Sequence, residues 1–342
     1  MQLAVGTATG IGEYATGLAH ALETADSVDV VRLDSARFDP WRFDRRVLWD
    51  QVLLPCEAAR AGVDVLHCLA GTMPLVATVP LVVTVHDVAW LRVQTHARRY
   101  ARWYFGRYQL ARYERARTIF VDSRFSRDEV LACAPRLEPE RVVVAYPGVA
   151  REFGALDRAP AQPPVALVVG TVEVRKNLEV LIEVAAAIPE LRVVSTGPFT
   201  PYRERILALA RERGVADRFE LRGYVSRAEL LALYASATLS IVPSRYEGFG
   251  YAAAQALCAG MPLVASNAAS LPEVVDGSAP LVAPDDRDGW IDATRAVLAD
   301  RDGAEARARA ARERAQTRFR WSAHAATVAA AYAAVTRGRS RA

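Results

Sequence analysis

Short apolar runs rich in β-branched residues alternate with helical stretches along the whole chain. Each run is almost continuously apolar, which is typical of parallel strands covered on both faces. Twelve such runs fit two sheets better than one, so the pattern predicts an α/β fold made of two Rossmann-like doubly wound domains. The predicted strands cover residues 3–5, 28–33, 63–67, 81–85, 119–122, 142–145, 165–169, 192–196, 219–221, 239–242, 263–265 and 280–282.

A proline-rich segment, 159–164, has little capacity for regular structure and separates the two halves. The pattern therefore predicts an N-terminal domain over residues 1–152 and a C-terminal domain over residues 160–320. We expect the amphipathic last helix, 321–338, to pack back on the first domain. Doubly wound domains bind ligands at the carboxyl ends of their strands, so we expect the chemistry in an interdomain cleft.

Composition narrows the class of protein. With 52% hydrophobic and 24% charged residues, the 342-residue chain has the balance of a globular protein. A net charge of +4 is too small to argue for nucleic acid as a partner. The chain shows no signal peptide and no apolar run of membrane-spanning length, so we expect a cytoplasmic protein.

Residues 98–117 interleave arginines with aromatic side chains. A basic aromatic helix of this kind can lie on an anionic membrane surface, which would place the protein at the inner face of the membrane. The alternative is a helix with an aromatic core face and a solvated arginine face. The pattern favours this alternative slightly.

Only one of the 43 basic residues is a lysine, Lys176. It follows Arg175 in the turn between the predicted strand 165–169 and a helix that begins near Asn177. Backbone N–H groups and the helix dipole favour an anion at such a position, and two cations strengthen the preference. The spacing is not that of a Walker loop, so the turn predicts a phosphate site of another kind.

A second segment, 243–250, follows the predicted strand 239–242 and contains Glu247 between polar residues and glycines. Gly248 and Gly250 let backbone N–H groups approach a ligand closely, and Glu247 can accept hydrogen bonds from hydroxyls. If this segment stood alone, a turn with a capping glutamate would be the better explanation of Glu247.

The two segments together resemble the retaining nucleotide-sugar glycosyltransferases of family 4, the group 1 glycosyltransferases, and loosely the bacterial mannosyltransferases among them. The resemblance covers most of the chain and is densest over residues 219–286. Matching runs are residues 170–177, 221–225, 233–237, 243–250, 259–266 and 271–273, with weaker ones at residues 10–14, 83–87 and 121–126.

The resemblance implies a GT-B fold and a retaining hexosyltransferase that moves a sugar from a nucleotide donor to a glycan or lipid-linked acceptor. It implies that Arg175 and Lys176 hold the diphosphate, and that Glu247 binds sugar hydroxyls. Retention in such enzymes is explained by front-side attack without a protein nucleophile. The donor suggested is GDP-mannose, with UDP- and dTDP-sugars as alternatives and no further cofactor.

The remaining donor contacts follow from the same resemblance. His86 would approach the donor sugar, and its position and motif favour this role over the alternative of a local hydrogen bond, for example to Asp87. The backbone N–H groups of Gly248, Phe249 and Gly250 would face sugar or phosphate. Other expected donor contacts are Gly10, Gly12, Tyr224 and Val225.

One position departs from the family pattern. The motif has a second glutamate eight residues after the first, on the donor ribose hydroxyls, and this chain has Gln255. Glutamine can exchange hydrogen bonds with hydroxyls but lacks the negative charge. A catalytically silent glycosyltransferase-like subunit is therefore the alternative function.

Other chemistries fit the residues less well. The carboxylates of Asp286 and Asp288 could suggest a metal, but their position favours helix capping, and we expect no metal. Residues 270–273 have the spacing of a capping box. A nicotinamide enzyme would need a Gly-x-Gly-x-x-Gly turn after a strand, and the chain has none. A pyridoxal-phosphate phosphorylase is a further alternative, because such an enzyme also depends on one particular lysine.

Overall fold

The computed structural model describes residues 10–35, 42–93 and 98–339, and the chain divides between Gly148 and Val149 into two compact units. Unit 1 comprises Met1–Gly148 and Phe319–Ala342, and unit 2 comprises Val149–Arg318. The division precedes the proline-rich segment by ten residues. The last helix belongs to unit 1.

Unit 1 contains a four-stranded parallel sheet in the order β1-β2-β3-β4. Its central strands are fully buried because helices cover both faces. The strands are β1 (Leu66–Cys68), β2 (Leu81–Val85), β3 (Thr118–Val121) and β4 (Val142–Val144). The helices are α1 (Gly10–Ala25), α2 (Phe43–Leu48), α3 (Leu54–Arg60), α4 (Ala89–Arg92), α5 (Arg99–Arg102) and α6 (Arg124–Cys133), with π-helical segments at Trp49–Leu53 and Trp103–Tyr108 and 3-10 turns at Tyr113–Arg115 and Pro139–Arg141.

The first and last described helices pack together on one face of this sheet. Tyr14 and Leu18 of α1 lie in one buried cluster with Val82, Phe120 and, from the helix Trp321–Arg339, Val328. The cluster joins residues from both ends of the chain, so the last helix completes the core of unit 1.

The predicted strand over residues 28–33 is wrong, and the predicted strand over residues 3–5 lies outside the described residues. Residues 28–33 line a cavity of about 640 Å³ together with β1, and they enter neither sheet. A β-branched run becomes a strand only where a neighbouring strand exchanges backbone hydrogen bonds with it.

Unit 2 contains a six-stranded parallel sheet in the order β10-β9-β8-β5-β6-β7. The strands are β5 (Val165–Val169), β6 (Arg192–Thr196), β7 (Phe219–Gly223), β8 (Leu239–Val242), β9 (Leu263–Ser266) and β10 (Leu281–Val282). The helices are α7 (Arg151–Gly154), α8 (Leu178–Ala187), α9 (Tyr202–Glu212), α10 (Arg227–Ser236), α11 (Tyr251–Ala259), α12 (Leu271–Val275), α13 (Arg287–Ala299) and α14 (Arg301–Arg318), with a 3-10 turn at Val174–Lys176; α15 (Trp321–Arg339) follows in unit 1.

The arginine- and aromatic-rich region, 98–117, is not one continuous helix. It comprises α5, a π-helical segment and a 3-10 turn. Tyr104 and Tyr113 are buried, whereas Tyr100 and Trp103 are exposed. Arg112 is also buried, where its guanidinium donates to the Pro74 carbonyl. The buried aromatic side chains support the alternative of a core face, and the exposed ones support the alternative of a membrane surface.

Candidate functional site

Two loops of unit 2 meet where the order of its sheet reverses. The chain proceeds outward from β5 to β7 in one direction and from β8 to β10 in the other, and β5 and β8 are neighbours. The carboxyl ends of strands at such a switch point form the ligand-binding crevice of doubly wound sheets. The loop after β5 carries Arg175 and Lys176, and the loop after β8 carries Glu247.

These three side chains form one charged cluster. Lys176 Nζ lies 2.5 Å from Glu247 Oε1, and Arg175 Nη1 lies 3.1 Å from Glu247 Oε2. The Ser244 hydroxyl donates a third hydrogen bond to Glu247, at 2.7 Å. Arg175 is also held by the Glu173 carboxylate, at 2.7 Å from Nε. The structure thus joins the two sequence-predicted segments into a single site.

The cluster keeps Glu247 ionised. Its side chain is buried, which favours the protonated acid, but Lys176 and Arg175 outweigh burial and lower the pKa of Glu247 to about 2. At neutral pH the group is therefore a carboxylate, which accepts hydrogen bonds and supplies no proton. An ammonium has three N–H donors. Among the described residues Glu247 takes one from Lys176, so two remain for an incoming anion.

Backbone shape makes room for this geometry. Gly170 has φ 146, and a Cβ there would lie 2.9 Å from Lys176 Cε. Gly250, with φ 95, begins α11 in a left-handed conformation that favours glycine. Gly248, Phe249 and Gly250 are buried in the same loop as Glu247.

The predicted capping box over residues 270–273 is wrong. Ser270 makes no cap bond to α12. Its buried hydroxyl instead lies 3.0 Å from the Glu247 carbonyl oxygen and 2.8 Å from that of Phe249. Ser270 therefore fixes the Glu247 loop, a role that its local spacing did not reveal. A capping box does occur at Ser226 and Glu229.

Gln255 lies on α11 and is 3% exposed. Its side-chain oxygen accepts a hydrogen bond from the Tyr234 hydroxyl at 3.0 Å. One acceptor site of the amide is therefore used inside unit 2. Tyr224 and Val225 follow β7 in the same unit, with Tyr224 49% exposed.

His86 lies in unit 1, directly after β2, and its partner is Asp122 rather than Asp87. Nδ1 is 2.6 Å from the Asp122 carboxylate and Nε2 is 2.9 Å from the Leu69 carbonyl oxygen. Burial favours the neutral ring, but Asp122 and the carbonyl outweigh it and raise the pKa of His86. Each ring nitrogen thus faces an oxygen that accepts a hydrogen bond, an arrangement that favours the protonated imidazolium.

Asp87 instead accepts a hydrogen bond from the backbone N–H of Ala89, at 2.9 Å. Gly10 and Gly12 lie in the first turn of α1, where Gly10 is exposed and Gly12 is buried. The predicted donor contacts are thus divided between the units: His86, Gly10 and Gly12 belong to unit 1, and the others to unit 2.

A buried hydrogen-bond chain beside His86 was not predicted. The Tyr146 carbonyl can only accept, so His324 Nδ1 donates to it at 3.1 Å, and Nε2 then accepts from the Tyr14 hydroxyl at 2.9 Å. The Tyr14 oxygen accepts from the Thr84 hydroxyl at 3.0 Å. Thr84 in turn accepts from His67 Nε2 at 2.8 Å.

The chain ends at His67 Nδ1, which accepts from the Tyr332 hydroxyl at 2.5 Å. This order requires both histidines to be neutral. Burial lowers the pKa of His67 to about 3 and also lowers the pKa of His324, against the opposing effect of Asp122. No local signal in the sequence relates these side chains, because they come from α1, β1, β2 and α15.

The acidic pair at Asp286 and Asp288 serves a helix. Asp286 accepts from the backbone N–H of Gly289 at 3.0 Å and caps α13, as predicted. Within the described ranges, no three His, Cys, Asp or Glu side chains are grouped as metal ligands. None of the described helices combines the length and apolar character needed to cross a bilayer.

Each unit is built on a parallel sheet, and unit 2 carries the charged cluster at its switch point. This is a Rossmann-like architecture. Family models match both units: glycosyltransferase family 4 over residues 10–153 and glycosyl transferases group 1 over residues 156–316. The chain belongs to the group 1 glycosyltransferases, and its fold is GT-B.

Individual relatives agree with this assignment. Glycogen synthase of Mycobacterium tuberculosis is 32% identical over 282 residues, which cover 76% of this chain and 64% of the relative. O-antigen chain mannosyltransferase B of Escherichia coli is 35% identical over 191 residues, 51% of this chain and 49% of the relative. The chain therefore spans less than two thirds of the length of these relatives.

A solved structure supports the fold over nearly the whole chain. Anabaena HepE in complex with UDP-glucose has a TM-score of 0.74 at 16% identity and covers 98% of both chains. At this identity the similarity concerns the fold alone.

Proposed function

We propose that this protein transfers a sugar from a nucleotide-sugar donor to a glycan or lipid-linked acceptor, with retention of configuration. The observation that carries the proposal is the cluster of Lys176, Arg175 and Glu247 at the switch point of unit 2. It supplies cations for a diphosphate and a permanent carboxylate for hydroxyls, which are the two groups that a nucleotide-sugar presents together.

In the proposed reaction Arg175 and Lys176 bind the donor diphosphate and stabilise the charge that builds on the leaving phosphate. Glu247 orients the sugar by accepting from its hydroxyls. With a pKa of about 2 it cannot act as the proton donor. The leaving phosphate oxygen takes the acceptor proton in the front-side attack that we propose, so no protein nucleophile is assigned.

His86 is proposed to lie near the donor sugar as a fixed cation. The Asp122 carboxylate sets the orientation of its ring and raises its pKa, which favours the positive charge. In this role the positive charge attracts electron-rich atoms of the donor, and His86 does not transfer a proton. Gly10 and Gly12 remain proposed phosphate contacts.

The proposed donor is GDP-mannose, for which the relative named a mannosyltransferase gives support. A UDP-sugar is the alternative, since HepE is described in complex with UDP-glucose. Membrane contact through residues 98–117 is a further proposal, for which exposed Tyr100 and Trp103 give support.

Thermal stabilisation by a panel of GDP-, UDP- and dTDP-sugars tests the donor site, because a ligand that binds the folded state raises the melting temperature. We expect one class of nucleotide to stabilise the protein and Lys176→Ala to abolish most of that effect. The matched control is Arg211→Ala, which removes one positive charge from an exposed position on α9. Equal stabilisation of both variants would refute the phosphate assignment.

Donor turnover with and without acceptor tests the activity itself. Nucleotide binding without turnover would support the silent-subunit alternative that Gln255 suggests. Absence of both binding by calorimetry and turnover would refute the proposed function.

A further inference from the structure

Asn177 occupies an unusual place beside the charged cluster. It is 2% exposed and lies between the 3-10 turn that carries Lys176 and the first residue of α8. Its φ of 56 is left-handed, and its side chain makes no cap bond to α8. A buried amide that does not cap its own helix must satisfy its hydrogen bonds elsewhere.

The Asn177 side chain joins three loops. Nδ2 donates to the Pro243 carbonyl at 3.1 Å and to the Pro284 carbonyl at 2.8 Å. Oδ1 accepts from Arg245 Nη2 at 2.9 Å. Both amide hydrogens are therefore used, and the loops that follow β5, β8 and β10 are linked at one point.

This link sets the separation of the two halves of the charged cluster. Lys176 immediately precedes Asn177, and Glu247 lies four residues after Pro243 on the loop that Asn177 holds. The Arg245 N–H also donates to the Arg175 carbonyl, at 2.8 Å. Since catalytic geometry loses efficiency with displacements of about 1 Å, a rigid spacer between these loops has functional value.

We propose that Asn177 is a positioning residue that holds Lys176 and Arg175 against Glu247 and thereby prepares the diphosphate site before the donor binds. The proposal rests on the proposed function. The backbone conformation does not by itself explain the asparagine, because glycine adopts a left-handed φ more readily. The three side-chain bonds supply the additional reason.

Asn177→Gly separates these two reasons, because it keeps the left-handed backbone and removes the amide. Asp276→Gly is the matched control, since Asp276 is also left-handed, with φ 47, but is exposed and belongs to another helix end of unit 2. Asn177→Asp is a second variant that retains an acceptor for Arg245 and loses both donors.

The sole lysine provides the measurement. Protein labelled with 15N at the lysine Nζ gives one side-chain 15N resonance, from Lys176, which reports its contact with Glu247. We expect Asn177→Gly and Asn177→Asp to move this resonance in the ligand-free protein towards that of an unpaired lysine. Asp276→Gly should leave it unchanged.

Binding and turnover give the second readout. For both Asn177 variants we expect GDP or UDP affinity to fall about tenfold and kcat to fall further than KM rises, because positioning matters most in the transition state. An unmoved Lys176 resonance with unchanged affinity in either folded variant would overturn the proposal.

Failure of the proposed function gives a different result. If no nucleoside diphosphate perturbs the Lys176 resonance of the unmodified protein, the donor site itself is refuted. The ligand-free resonance of the Asn177 variants then still decides whether Asn177 positions the cluster.

Discussion

The charged cluster of unit 2 and the hydrogen-bond chain of unit 1 bury polar groups in opposite ways. Around Glu247, opposite charges neutralise one another across two loops. Around His67 and His324, neutral groups satisfy one another in a fixed direction of donation. The cluster keeps its charges where a charged ligand is expected. The hydrogen-bond chain consists of neutral groups, and it lies where helices pack against the sheet of unit 1.

The difference predicts that acid acts on the two regions in different ranges of pH. Glu247 has its pKa lowered from 4.5, so its stabilisation is complete above about pH 4.5 and is lost as the pH falls towards 2. The neutral histidines have their pKa values lowered from 6.5, so their contribution is lost as the pH falls below 6.5.

The largest expected effect is that of Glu247→Gln. The substitution leaves Lys176 without its counter-charge and Arg175 with that of Glu173 alone, and it removes the carboxylate proposed to bind sugar hydroxyls. We expect donor turnover to fall at least about 100-fold and the unfolding free energy to fall by about 3 kcal/mol. Turnover assays and urea unfolding check this, with exposed Glu190→Gln as the control. Activity within a few-fold of the unmodified protein would contradict the role of the cluster.

The second effect is an early loss of stability in unit 1 on acidification. Between pH 7 and pH 5 an unfolded histidine gains a proton that His67, with its pKa lowered to about 3, does not gain in the fold, which costs about 2 kcal/mol. The lowered pKa of His324 acts in the same direction, and the raised pKa of His86 opposes it. His86 opposes because its pKa is raised, so its stabilisation is complete at low pH and is lost at higher pH.

Hydrogen exchange, corrected for intrinsic rates, measures this in peptides from α1 and α15 and compares them with α11. His324→Gln should reduce the pH dependence, and exposed His20→Gln should not. Equal acid sensitivity of α11 at pH 5 would contradict the contrast between the regions.

Tyr14→Phe should have a smaller effect. It removes the hydroxyl that donates to His324 and accepts from Thr84, and leaves both partners buried. We expect a loss of about 2 kcal/mol in unfolding free energy, with nucleotide affinity unchanged. Thermal unfolding and calorimetry check the two quantities. A matching loss of nucleotide affinity would show that the two regions are not independent.

The smallest effect is expected for Gln255→Glu, which restores the acidic residue of the family motif. Because Tyr234 can still donate to a carboxylate, the fold should be retained. We expect affinity for a ribonucleoside diphosphate to rise roughly threefold through a charge-assisted hydrogen bond. Calorimetry with the 2′-deoxy nucleotide checks the cause. If the substitution raises the affinity for the ribonucleotide and the deoxynucleotide equally, residue 255 does not contact the ribose 2′-hydroxyl.

Local sequence patterns predicted the parallel strands and the two cationic and acidic segments. These features depend on neighbouring residues: a continuous apolar run marks a covered strand, and glycines beside charged residues mark a ligand loop. The sequence thus identified Arg175, Lys176 and Glu247 as candidates, and the resemblance supplied their proposed roles.

The tertiary structure decided which of these residues meet. Lys176 and Glu247 are 71 positions apart and come together because β5 and β8 are neighbours at the switch point. Residues 28–33 show the converse, since strand propensity without a partner strand produced no strand. The side chains of Ser270 and Asn177 bind neighbouring loops instead of capping their own helices. Local spacing in the sequence does not distinguish these two roles.

The histidine chain is the clearest case. Tyr14 and His324 are 310 positions apart, and only the packing of α1 against α15 brings them into contact. Sequence by itself determined most of the strands and helices and the types of chemical group, because these depend mainly on local periodicity and composition. The charge and direction of each buried contact depend on which segments pack together, and only the fold decides that.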